Sequence, residues 1–318
     1  MFLKHLLPAE GRFYKANLHC HSTISDGSLS VNELKAAYIR QGYSVVAFTD
    51  HDIYADHTND CDGNFIAITS YEADISDWSD PDGHSRRCYH FNCYDKNPSV
   101  RGKSLLPKPK YDNIEGINEY IRLLNEDGYL VCYNHPNWSQ QNMEDYKDLK
   151  GLFACEIYNY SAHLDGIDGN QEVPYDTLLR RGNRLFCVAA DDNHDREPFG
   201  HPLNDSFGGF VMIKAEKLTY KAVMEALERG DFYASMGPEI KELYAQDDIV
   251  TVKCSPVRRI TFTTNARTSK CVMAEKDGFI TEAQFKIEPK YGYVRIQIED
   301  REGLRANSNA YFVEDILK

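Results

Sequence analysis

The chain has 318 residues and is 42% hydrophobic, which suits one large domain or a large and a small one and excludes a disordered polymer. Its formal charge of −13, from 36 Lys and Arg against 49 Asp and Glu, argues against a nucleic-acid track, which needs basic footprints for phosphate contacts. The nine cysteines include no CxxC pair, so reduced, buried thiols of a cytoplasmic protein are expected rather than a disulfide frame or a thiolate zinc site.

In chain order, residues 13–19 read as a first short strand. Ser30 and Glu33 form a capping box for a helix over 31–41 that stops at Gly42. Residues 43–49 are β-branched and apolar, as buried parallel strands are, and 65–69 and 88–94 read as two more. Asp112 and Glu115 repeat the cap pattern, Ile114, Ile117, Ile121 and Leu124 follow at helical spacing, and Gly128 ends that helix. Strands at 129–134 and 153–158, a helix at 174–181 with Pro174 in its first turn, and a strand at 185–190 complete the series. Seven strands with helices between several of them predict an α/β fold of β/α-barrel type. A strand at 208–215 and a helix at 219–229 follow. From about Gly237 the texture changes to short alternating strands at 249–253, 259–264, 280–287, 293–298 and 309–313. This predicts a small all-β, sandwich-like domain over 237–318 behind a larger one over 1–236. The N-terminus lacks the roughly 7–15-residue apolar core of a signal peptide, and no run approaches the roughly 20 apolar residues of a membrane helix. No membrane association is therefore expected.

Residues able to bind metals fall at the strand ends. His19 and His21 end the first strand, Asp50-His51-Asp52 the second, and Glu72 follows the third. His90 lies in the fourth, His135 ends the fifth, Glu156 lies in the sixth, and Asp191-Asp192-Asn193-His194 ends the seventh. In a β/α barrel the C-terminal strand ends meet on one face, where active sites are built. The pleat has a period of two, so His19 and His21 share a face, as do Asp192 and His194. Imidazole with carboxylate suits Zn²⁺, Mn²⁺ or Fe²⁺. A lone HxH is more often structural than a ligand; the recurrence at strand ends carries the argument.

The segments Asn17-Leu18-His19-Cys20-His21-Ser22, Asp26-Gly27 and Ala47-Phe48-Thr49-Asp50-His51-Asp52 resemble the first two motifs of the PHP (polymerase and histidinol phosphatase) superfamily. Glu72, His90, Asn134-His135-Pro136 and Asp192-Asn193-His194 follow in that family's order, so the resemblance covers about residues 12–237. It implies a distorted (β/α)7 barrel holding two or three divalent ions (Zn, Mn or Fe). One metal would take His19, His21, Glu72 and Asp192, a second would share Glu72 and add His90 and His135, and a third would take Asp26, His51 and His194. Asp191 stands where relatives commonly carry Ser, and would add charge beside the cluster.

The resemblance further implies a phosphoesterase. A hydroxide bridging the ions would hydrolyse a phosphomonoester or a (cyclic) phosphodiester of a small metabolite or nucleotide. The alternatives are a metal-dependent hydrolase of a non-phosphate ester and a non-catalytic binding module. Asp192 and His201 are the candidate catalytic residues, His201 as the acid because it follows His194 by seven positions. Arg86, Arg87, Arg101 and Lys103 are candidate phosphate-binding cations. His90 is preferred over His84 as a ligand; His84 and His163 read as surface residues. Glu156 reads as a support for the ligands, as substrate-facing or as plain core. Only 44 residues separate His90 from His135, which leaves little room for a lid and predicts an open mouth unless the β domain covers it.

Overall fold

A computed structural model of the protein describes residues 2–98 and 105–318. The first half contains β1 (Leu3–His5), β2 (Arg12–Cys20), α1 (Val31–Arg40), β3 (Tyr43–Phe48), β4 (Ile66–Ser76), β5 (Cys88–Asp95), α2 (Ile114–Glu126), β6 (Tyr129–Tyr133), α3 (Met143–Tyr146) and β7 (Ala154–Asn159). There follow α4 (Tyr160–Leu164), α5 (Glu172–Arg180), β8 (Phe186–Ala190), β9 (Phe210–Ala215), α6 (Tyr220–Arg229) and β10 (Phe232–Ser235). The rest is β11 (Ile240–Gln246), β12 (Ile249–Val257), β13 (Arg259–Thr264), β14 (Ser269–Met273), β15 (Ile280–Lys286), β16 (Tyr293–Glu299), β17 (Arg305–Ser308), β18 (Tyr311–Phe312) and α7 (Val313–Ile316).

The helix signals operate as chemistry requires. The Ser30 hydroxyl accepts from the Glu33 N–H while the Glu33 carboxylate accepts from the Ser30 N–H. The second helix is capped one residue later than its sequence suggests, because the Asn113 side chain, not that of Asp112, accepts from the Gly116 N–H. Gly42 and Gly128 leave their helices at φ 78° and 84°, where a side chain would be strained.

Strands β2, β3 and β4 run parallel, as do β6, β7 and β8. Between these groups β5 is antiparallel to both β4 and β6. The reason lies in residues 77–87, which hold no helix; parallel neighbours need a crossover of a dozen or more residues, whereas a hairpin needs none. The polar stretch 70–76 therefore extends β4 well past the expected Thr69, paired residue by residue with β5.

The expected distorted (β/α)7 barrel does not form a closed sheet among the described residues: the hydrogen-bonded sheet is an open path from β14 to β8. Its ends approach without closing. A single parallel bridge joins Cys20 to Asn193, and the Asp192 N–H donates to the His19 carbonyl at 3.0 Å. On the other side of β2 the sheet continues antiparallel through β9, β10 and β17 into β16, β13 and β14. The C-terminal β region thus shares a sheet with the large α/β unit. A second sheet, β1-β11-β12-β15, packs on it through Val250, Val252, Phe262, Phe285 and Ile296. The nine cysteines are unpaired and seven of them are buried. No helix among the described residues is long and apolar enough to cross a membrane.

Several polar ties fasten the β region to the α/β unit, among them Arg305 and Gln297 on Glu172 and Arg184 on Asp315. Arg295 of β16, 4% exposed, grips Asp176 of α5 through two hydrogen bonds of 2.8 Å. Losing one partner strands the other charge in the interior, so Asp176→Ala is expected to destabilise the fold by about 3 kcal/mol. Urea unfolding checks this; a loss below about 1 kcal/mol would assign the tie the weight of a surface pair.

Candidate metal centre

Five imidazoles surround one carboxylate. Glu72, fully buried on β4, has ring nitrogens of His90, His51, His135, His19 and His21 at 3.0, 3.1, 3.2, 3.3 and 3.4 Å from its oxygens. Asp192 is the second hub, with His19 Nε2 at 3.0 Å and His21 Nε2 at 3.1 Å from Oδ1 and His135 Nε2 at 3.6 Å from Oδ2. Asp26 is a third, at 3.4 Å from His194, 3.8 Å from His21 and 4.0 Å from His51. Three sets have ligand atoms that lie mutually within 4.8 Å: His19-Glu72-His135-Asp192, His51-Glu72-His90 and His21-Asp26-His51-His194. All nine expected ligands are thus brought together. The sets redistribute His21, His51 and His135 relative to the partition the resemblance implies, because His51 and His135 each face two carboxylates and His21 faces three.

The arrangement fits divalent cations. A neutral imidazole has one N–H and one lone pair, and a ring nitrogen that does not donate turns its lone pair on a carboxylate oxygen. Glu72 Oε2, His21 Nδ1 and His90 Nδ1 are accordingly buried without a hydrogen bond, although His51 Nδ1 lies 3.1 Å from that Oε2 and His90 Nδ1 3.0 Å from Oε1. Such groups are costly to bury unless something binds them. Without cations, protons substitute. Burial opposes charge on His19, yet Asp192, Glu72 and Glu156 overcome it and hold that imidazole well above its usual range. The same contest pushes His21 up to about 9. Burial would raise Glu72, but His90, His19 and His51 hold it well below the usual carboxylate range. His51 goes the other way, lowered mainly by burial.

The strand ends aim these groups through strained backbone. His135 and Asp192 sit at φ 25° and 57°, and Asp52 and Asp195 beside the cluster at 51° and 50°. Supporting contacts fix the rings. Glu156, left open between three roles by the sequence, accepts from His19 Nδ1 at 2.7 Å and from the His135 backbone N–H at 2.9 Å. It thereby turns His19 Nε2 towards the carboxylates. Asn134 donates to Glu72 and Asn159 to Asp192. Asp50 accepts from the N–H and hydroxyl of both Ser22 and Ser25, which folds the loop that carries Asp26. Gly27 permits that fold, since a Cβ there would lie 2.4 Å from the His21 carbonyl oxygen. Asp191 is buried and turned to the 207–209 segment. It accepts from Tyr38 and from the amides of Phe207, Gly208 and Gly209, and burial pushes it up to about 7 despite them.

The cluster floors a cleft of about 260 Å³ whose lining runs from Asp26 to Asp205, so the C-terminal β region does not cover it. His201 does not line the cleft. It is exposed, and its Nδ1 accepts from the Leu203 N–H within its own loop. Arg86 and Arg87 are spent on Asp80, Asp77 and Asp145, away from the cleft. Arg101 and Lys103 lie outside the described residues. His84 and His163 are exposed, while His90 is buried in the cluster. The rim was not among the sequence-based expectations. Arg196, Trp138, Asp165 and Asp205 all line it, and Arg196 is its one Lys or Arg among the described residues. The nearest local signal is the position of Arg196 two residues after His194.

A family model described as PHP domain matches residues 17–246. The chain is 50% identical over 40 residues to the DNA polymerase/3'-5' exonuclease PolX of Bacillus subtilis, and 54% identical over 41 residues to a 5'-3' exoribonuclease of Haemophilus influenzae. Each match covers 13% of this chain, and the chain spans only 7% and 15% of the length of these curated relatives. A solved two-domain protein from Bacteroides vulgatus, described as containing a predicted PHP-like metal-dependent phosphoesterase, is similar at a TM-score of 0.48 and 15% identity, over 96% of this chain and 98% of that one. A likeness of that strength carries no argument about fold or function.

Glu156 supports the ligands without being needed among them, so Glu156→Gln should weaken Mn²⁺ binding by roughly tenfold while the protein stays folded. Calorimetric titration checks this, and an isotherm identical to wild type would detach Glu156 from the centre.

Proposed function

Because the chain belongs to the PHP domain family, we propose that it is a metal-dependent phosphoesterase acting on a small phosphomonoester or cyclic phosphodiester. The observation that carries this reading is the convergence of nine imidazole and carboxylate groups, three of them in reach of more than one set, on the floor of one cleft. His19, His21, Asp26, His51, Glu72, His90, His135, Asp192 and His194 would hold two or three ions, with Glu72 shared. Bound there, Zn²⁺, Mn²⁺ or Fe²⁺ would acidify a water to make a nucleophile and neutralise charge on the non-bridging phosphate oxygens.

The chain's own residues do the rest. Glu156, Asn134 and Asn159 keep the ligands from turning as the substrate's charge arrives. Asp205 accepts from the backbone N–H groups of both His194 and Asp195, which fixes the loop that presents Arg196. Arg196, with its guanidinium 3.9 Å from Asp26 and three-quarters exposed, is placed to meet a phosphate oxygen on the outer side of the cleft. The cleft is carboxylate-rich, with Asp26, Glu72, Asp165, Asp192 and Asp205 against a single Arg. A phosphate can enter only when cations reverse that field.

Metal-loaded protein is expected to hydrolyse p-nitrophenyl phosphate or bis-p-nitrophenyl phosphate faster than p-nitrophenyl acetate. A preference for the acetate would favour the non-phosphate ester instead. Asp192→Ala should reduce turnover by at least about a thousandfold, the scale of removing a principal electrostatic group. Circular dichroism should show the fold retained, and full activity would sink the assignment. Arg196→Ala should raise KM for the phosphate substrate by roughly tenfold with kcat little changed, as loss of an exposed charge-assisted hydrogen bond does; an unaltered KM would remove Arg196 from substrate binding.

A further inference from the structure

We infer that Trp138 sets the substrate class of the cleft, by stacking on a planar aromatic ring in the alcohol portion of the phosphate ester. The inference rests on the phosphoesterase reading of the same site. Trp138 lies three residues past His135, with its ring centroid 5.1 Å from that imidazole and 5.9 Å from His90. It is 39% exposed, a large hydrophobic surface left open at the edge of a polar cup. Leu164 and Leu203 supply the remaining apolar lining of the cleft, so an apolar stretch stands among the polar groups of the wall above an ionic floor.

The ring is held ready. Its indole N–H donates to Asp165 at 3.1 Å. The turn that carries it is closed by the Ser139 and Gln141 N–H groups, which donate to the His135 and Pro136 carbonyls. Asn137 ties the same turn to residues 168–171, donating to the Asp168 and Asn170 carbonyls and to the Gln171 side chain. A platform fixed in this way loses little freedom when a flat group settles on it. The carboxylates of the mouth would serve a polyol less well. Asp165 already accepts from Trp138, and both oxygens of Asp205 accept backbone N–H groups. The cleft volume of about 260 Å³ lies below the roughly 300–1,000 Å³ of drug-sized pockets, which suits one phosphate and one ring.

The test compares benzyl with n-butyl phosphate, whose leaving groups are both primary alcohols, and the matching phosphonates as uncleaved ligands of Mn²⁺-loaded protein. Wild type is expected to favour the benzyl ester in kcat/KM, and benzylphosphonate in calorimetric Kd, by about fivefold beyond any preference in Trp138→Ala. Trp138→Phe should keep most of the preference. A ratio unchanged in Trp138→Ala overturns the inference. Failure to hydrolyse either ester, or bis-p-nitrophenyl phosphate, overturns the phosphoesterase reading instead; the phosphonate titrations then decide the role of Trp138 by themselves.

Discussion

The carboxylate of Glu72 is buried to 0% exposure with five imidazole nitrogens within 3.4 Å, and the architecture of the site follows from that one costly placement. An ionised carboxylate in the interior is tolerated only when it is paired and hydrogen-bonded. Here the pairing is excessive. Five rings converge on about four acceptor sites, one of them already taken by the Asn134 amide, and three polar atoms are left without a hydrogen bond. Divalent cations resolve the conflict, because each replaces several competing protons and accepts every lone pair turned towards it. The raised His19, His21 and His90 and the lowered Glu72 and Asp192 express the same imbalance in protonic terms.

The fold supplies this convergence through strand ends and strained turns. Parallel strands β2, β3 and β4 deliver His19, His21, His51 and Glu72, and the antiparallel β5 brings His90 back to the same place. A carboxylate one layer further out then locks each delivery: Glu156 behind His19, Asp50 behind the Asp26 loop, Asp205 behind His194. Asp191 does the analogous work for the 207–209 segment. Much of the acidity of the chain that bears on the site is therefore structural, holding loops that the metal ligands need.

The ligands were legible because their signals are local. His19 and His21 are read from the two-residue period of the pleat, whereas Asp192 and His194 stand past the end of β8, with Asp192 in left-handed backbone. The helix caps were equally legible, down to an error of one residue at Asn113. What escaped depends on contacts between distant segments. The reversal of β5 follows from a helix-free connection, and the polar 70–76 stretch becomes a strand only against its partner. β1 is three residues long and exists because it pairs with β11, some 240 positions away. His201 was placed by its nearness in sequence to His194, yet its loop turns it back on its own backbone. Arg86 and Arg87 are neutralised by Asp80, Asp77 and Asp145, partners invisible to composition. Trp138 carried no pattern at all; its importance arises from the ring of His135 beneath the same turn.

The central claim is that the Glu72 and Asp192 carboxylates are metal hubs rather than parts of a proton-bridged polar core. Anomalous diffraction from crystals grown with Mn²⁺ tests it directly. The account predicts at least two anomalous peaks in the cluster, one of them within about 2.0–2.3 Å of a Glu72 oxygen and of flanking imidazole nitrogens. Crystals saturated with Mn²⁺, and separately with Zn²⁺, that show no peak among these nine side chains would contradict it.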